Sequence, residues 1–134
     1  MLFKKLILVL LFGMSSFAIN AEEPTQNNIG YYGFEPDIIT NYVSMNAKKV
    51  GFVRVTVELM IEDTSLLSLV EHHSPLLRDA IIDTFIRQPE QKVKSMTGRE
   101  EVRVIILDRL RELMKRETGR EVVRDVLFAK YLYH

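Results

Sequence analysis

The feature that most constrains this chain is a strict alternation. Val53, Val55, Val57, Leu59 and Ile61 occupy every second position, with Arg54, Thr56, Glu58, Met60 and Glu62 between them. Side chains of a strand point alternately to its two faces, so residues 50–62 are expected to form a strand with one dry face and one mostly wet face. A one-sided strand needs a neighbour along its edge and a layer over its dry face. The expected neighbour is the aromatic and β-branched segment Tyr31–Val43. Its Pro36 cannot donate to a ladder, which makes this an edge or interrupted strand. Residues 44–49 supply turn chemistry, so antiparallel pairing is the short connection.

The covering layer is expected from residues 63–119. Asp63 or Thr64 can cap a short helix through Leu66, Leu67, Leu69 and Val70. Ser74 suits an N-cap and Pro75 the first helical position of a second helix running to Arg87. That helix is apolar nearly all round, with Leu77, Ala80, Ile81 and Phe85 on a broad face and Leu76, Ile82 and Ile86 outside it. It should therefore be covered on more than one side. Arg78 falls beside Ile82 and Phe85, where a cation must snorkel or find a carboxylate. Residues 88–96, with Pro89, read as a connector with room for one helical turn. Thr97 and Glu100 have the spacing of a capping box, opening an amphipathic helix that stops at Gly119. Val102, Ile106, Leu110 and Leu113 make its core stripe, and Glu112 and Arg116 an i,i+4 pair. The segment Glu121–His134 is again β-rich, with Val122, Val126, Phe128 and Leu132 expected on one face and Leu127, Ala129, Tyr131 and Tyr133 on the other. A strand apolar on both faces is either central or part of an assembly surface. The expected fold is α+β, a small mixed or antiparallel sheet of about three strands packed by helices, in the order β-β-α-α-β.

At 134 residues there is room for one such domain and a short extra segment. Lys4-Lys5, the apolar run Leu6–Met14 and the small-residue exit to Ala21 follow the plan of a signal peptide cleaved after Ala18 or Ala21. An uncleaved N-terminal membrane anchor is the competing reading, although Leu6–Ala21 falls short of the roughly 20 residues that span a bilayer core. Residues 1–21 are thus assigned as signal peptide or anchor, 22–30 as linker and 31–134 as the folded domain. Basic and acidic residues are balanced at 18 each. Removing residues 1–21 leaves 16 basic against 18 acidic, so no field attracts nucleic acid. The absence of cysteine excludes disulfides, thiolate metal sites and lipidation at cysteine.

No catalytic constellation emerges. His72, His73 and His134 lack metal-ligand spacing, and His72-His73 read as helix-end residues. Ser65, Ser68 and Ser74 lack a nucleophile elbow, and no glycine-rich loop is present to cradle phosphate. Arg99, Arg103, Lys115 and Arg116 are interleaved with acids and read as a solvated helix face. A periplasmic enzyme would need a site assembled from Glu58, His72 or His134. No metal, cofactor, nucleic acid or small-molecule substrate is therefore expected, and the protein is read as non-enzymatic.

Five stretches in order resemble the family of the flagellar basal-body protein FliL. They are Tyr31-Tyr32 with Glu35-Pro36 and Ile38–Asn41, the alternating Phe52–Leu59, Pro75–Ile82, Gly98–Glu100 before the long helix, and Val123–Phe128. The resemblance covers residues 31–134. It implies a periplasmic domain similar to the stomatin-type (SPFH-like) domain and no enzymatic activity. It also implies association with the inner membrane and assembly as a homo-oligomeric ring around the stator complex of the flagellar motor, in support of swimming or swarming. Members of that family usually start with a cytoplasmic tail and a full transmembrane helix, where this chain has a signal-like segment. Gly33-Phe34 also replaces the family's common Pro-Leu. Pro75, Arg78 and Asp79 are the candidate assembly or helix-packing residues. The alternative is a stomatin-like membrane-associated scaffold with no tie to flagella.

Overall fold

The computed structural model describes residues 28–134. The signal peptide or anchor over 1–21 and most of the linker over 22–30 lie outside the described residues.

The alternating segment is the centre of the sheet. Strand β3 (Gly51–Ile61) is flanked on one edge by β1 (Gly30–Gly33) and β2 (Ile38–Tyr42), and on the other by β4 (Val123–Tyr133). All three pairings are antiparallel. Tyr31–Val43 is thus an interrupted strand, broken over Phe34–Asp37, and both pieces hydrogen-bond to β3, one at each end. β3 is the buried centre, and β4, expected as central or assembling, is an edge strand.

The helices follow in one block: a 3-10 turn (Thr64–Leu66), α1 (Leu67–His72), α2 (Ser74–Ile86), α3 (Glu90–Lys94) and α4 (Met96–Thr118). They pack on one face of the sheet, giving a two-layer α+β domain. Val53, Val55, Val57, Leu59 and Ile61 are wholly buried beneath them, each burial contributing about 1.5–3 kcal/mol. From the helical side come Leu77, Ile81 and Phe85 of α2 and Val102, Ile106, Leu110 and Met114 of α4, all fully buried.

Two expected helix caps and one expected ion pair change. Asp63 does cap the 3-10 turn, accepting from the Ser65 amide at 2.8 Å. Ser74, however, makes no cap; His73 holds that position, and its carbonyl accepts the Leu77 amide at 3.1 Å, so α1 runs almost directly into α2. The long helix starts earlier than the Thr97 box, because Ser95 is the N-cap and accepts from the Gly98 amide at 2.9 Å. Gly98 then lies in the first turn. A Cβ there would meet the Lys92 carbonyl oxygen at 2.3 Å, so only glycine lets α4 approach α3 this closely. The helix closes where expected, on Gly119 at φ +81°. Glu112 pairs with Arg109 at 3.5 Å and Arg116 with Glu117 at 3.3 Å, instead of with each other.

β4 departs most from its sequence pattern. Its register against β3 shifts between Thr56 and Val57 and again between Met60 and Ile61. A bulge inserts one residue and reverses which face the following side chains take. Val126 and Phe128 lie with Tyr131 on the helix side, where Phe128 and Tyr131 pack on Phe85 at 5.9 and 6.3 Å between ring centroids. Leu132, expected to share their face, lies on the opposite one beside Arg54.

Candidate functional site

Chemistry is sparse among the described residues. No group of three or more His, Asp or Glu side chains is placed to hold a metal ion. His73 sets its Nδ1 2.8 Å from the Leu69 carbonyl, and its ring meets that of exposed His72 edge-on at 5.0 Å. His134 lies beyond β4, where its carbonyl accepts a hydrogen bond from the Tyr42 hydroxyl. Glu58, on the wet face of β3, stands opposite Gly33 of β1 and Leu127 of β4. A cleft of about 510 Å³ between the β2–β3 loop and α3 is lined by Tyr42, Lys49, Glu90, Lys94 and His134. Its acid and base satisfy each other: Lys94 bonds Glu90 at 2.9 Å and, with the Met45 amide, holds that carboxyl below the usual range.

Surfaces are better defined than pockets. Arg78 and Asp79 follow Pro75 by three and four residues, so they flank it on the next turn in one broad stripe of α2 while pointing about 100° apart from each other. Pro75 and Asp79 are exposed. Among the described residues Arg78 reaches neither Asp79 nor another carboxylate; its Nη2 donates to the Pro36 carbonyl at 2.8 Å, and the guanidinium sits 5.5 Å from the centroid of the buried Phe34 ring. The arginine thereby ties α2 to the break between β1 and β2.

The second surface is the sheet face opposite the helices. At its β2–β4 end, Ile39 and Leu132 are each 61% exposed and Phe52 is 47% exposed, an apolar cluster around a groove of about 340 Å³ that Arg54 also lines. Behind it Asp37 accepts from Arg54 at 2.9 Å and from Thr56 at 2.8 Å, and these bonds hold its carboxyl below the ordinary range. Sequence reading missed this cluster, because Leu132 belongs to it only through the bulge in β4 and Ile39 only through the register of β2. Phe52, an apolar residue at a wet position near the start of the alternation, as Val50 is, is the signal that could have found it.

The third is the edge of β4. Arg103, read from sequence as part of a solvated face, crosses from α4 to pair with Asp125 and to donate to the Val126 carbonyl at 3.2 Å, while Glu100 takes its other end. The same Asp125 carboxylate accepts the Val126 amide at 2.8 Å. Glu100 and Asp125 raise the Arg103 pKa further above its ordinary value, so the charge is permanent. Arg99, one turn earlier, sits over Tyr131, its guanidinium 4.1 Å from the ring centroid.

Comparison with known proteins places this arrangement. Residues 31–133 match the family profile described as flagellar basal body-associated protein FliL. The chain is also 26% identical to the flagellar protein FliL of Aquifex aeolicus (strain VF5) over 101 residues, which cover 75% of this chain and 59% of that protein. The match therefore spans less than two thirds of the relative's length. The family match begins within β1 and ends with β4, taking in the whole two-layer fold, and the chain belongs to the FliL family of flagellar basal body-associated proteins.

Proposed function

We propose that this protein is a non-enzymatic, exported component of the flagellar basal body that acts by protein–protein contact in the periplasm. The observation that carries the reading is the sheet face left uncovered by the helices, where Ile39, Phe52 and Leu132 stand exposed together on a domain whose acids and bases are largely paired among themselves. Exposed apolar clusters of this kind mark contact surfaces. Family membership supports the basal body as the place of contact, with the motor stator as partner and a homo-oligomeric ring, of stomatin-like domains, as the assembled form. The N-terminal Lys4–Ala21 segment supports export and a tie to the inner membrane, as a cleaved signal or an anchor. Mass measurement of the mature protein separates the two.

On this reading the α2 stripe serves assembly. Arg78 is held inside its own subunit by Pro36 and Phe34, and Pro75 and Asp79 face the neighbouring one. Deleting the gene is expected to reduce swimming or swarming while filaments still assemble; unchanged motility in both assays overturns the proposal. Arg78→Ala separates packing from assembly: a lowered melting temperature of the monomer assigns the residue to packing, and lost assembly at unchanged melting assigns it to the ring.

A further inference from the structure

The edge of β4 is closed at one end and open at the other. At Val126 both backbone groups that face away from β3 are occupied, the amide by Asp125 and the carbonyl by Arg103. Beyond the bulge the His134 amide donates to the Phe52 carbonyl at 3.0 Å, so alternation in an antiparallel ladder turns Lys130 and Leu132 toward β3 and the backbone of Tyr131 and Tyr133 away from it. These outward amides and carbonyls have no partner among the described residues. A groove of about 280 Å³ between α4 and β4 lies at the closed end, lined by Arg99, Glu100, Arg103, Asp125, Leu127 and Phe128, and Arg99 links it to the open end through its contact with Tyr131.

Charge selects what this groove accepts. Glu100 and Asp125 are both consumed by Arg103. Among the described residues Arg99 has no carboxylate within reach, and its Nε is buried without an acceptor. Contact with the Tyr131 ring holds the guanidinium at the groove, which lowers the cost of ordering it when a bidentate acceptor arrives. An unpaired edge strand beside a helix, with a fixed cation at the groove wall, is the geometry of strand addition.

We propose that the Ala129–Tyr133 edge of β4 is a docking site for an extended, acidic segment of another protein, which adds a fifth strand to the sheet and delivers a carboxylate to Arg99. The clamp at Val126 sets one end of that strand. The inference goes beyond the basal-body reading and does not depend on it.

The test uses the full chain and two acetylated, amidated hexapeptides, Thr-Val-Glu-Val-Thr-Val and its counterpart with lysine in place of glutamate. Amide resonances and hydrogen exchange of Tyr131 and Tyr133 report binding. The glutamate peptide is expected to shift and protect both amides and to bind about tenfold more tightly than the lysine peptide, the scale of one charge-assisted bidentate contact. Arg99→Gln is expected to erase that preference at unchanged melting, and Arg99→Lys to keep only part of it. Equal responses to the two peptides, or shifts confined to other residues, overturn the proposal. So does protection of the same amides that appears on concentrating the protein alone, because a second copy of this chain is then the occupant.

Discussion

The two halves of β4 run along one partner strand and are finished in opposite ways. From Val123 to Phe128 the strand buries Val123 and Val126, and Arg103 and Asp125 seal its outer edge. From Ala129 to Tyr133 only Tyr131 is anchored inward, its hydroxyl donating to the Val93 carbonyl at 2.7 Å, while Leu132 and Tyr133 stay exposed. A single-residue bulge separates the halves. Burial is thus divided along one strand: residues before the bulge hold the domain together, and residues after it, Tyr131 apart, are held out from it.

Substitutions at Val126, Arg103 and Tyr131 test that division in order of expected effect, with Leu132 as the comparison for the first. Val126→Ala is expected to cost about 2 kcal/mol in chemical denaturation, the transfer of two methyl groups plus the cavity they leave. Leu132→Ala, a larger truncation, is expected to stay within about 0.5 kcal/mol because the side chain is already in water. Equal losses at the two sites break the division. Arg103→Ala comes next, at about 1 kcal/mol, since the pair with Asp125 is only part-buried and water screens it. Its sharper readout is faster exchange of the Val126 amide, which depends on an Asp125 side chain that Arg103 orients.

Tyr131→Phe follows Arg103→Ala, at about 1 kcal/mol or less for one hydroxyl bond. It also carries a sign. Burial pushes the Tyr131 pKa up from 10.0 to about 12, against the opposing pull of the Arg99 charge. A group whose folded pKa is raised contributes stability below its unfolded pKa and loses it as pH rises toward the folded one. The wild type should therefore weaken between pH 10 and pH 12 through this residue, and Tyr131→Phe should lack that part of the alkaline loss. Superimposable alkaline melting curves for the two proteins contradict the inward anchoring of Tyr131.

How much of this was legible in the sequence depends on the range of the interactions involved. The alternation of Val53 to Ile61 reports a property of one strand, side-chain parity, and it placed the core face correctly. Gly119 ended the long helix for an equally local reason. The caps at Ser74 and Thr97 failed because their competitors came from neighbouring elements: α1 already supplied a carbonyl from His73, and the contact with Lys92 drew Gly98 into the first turn. The exposed cluster of Ile39, Phe52 and Leu132 depends on strand register and on a bulge that no residue at Ala129 announces. Arg99 and Arg103 looked solvated on a helical wheel, which carries no record of the strand packed beside it.

The central claim is that the uncovered end of the sheet is a working contact surface and contributes little to the fold. A chain carrying both Phe52→Asp and Leu132→Asp tests it most directly, by comparing its melting temperature with its localisation to flagellar bases and with motility in cells lacking the wild-type gene. The prediction is a melting temperature within about 4 °C of wild type, the shift expected for less than 1 kcal/mol in a domain of this size, together with lost basal localisation and impaired swimming. Wild-type localisation and motility at unchanged stability would contradict it.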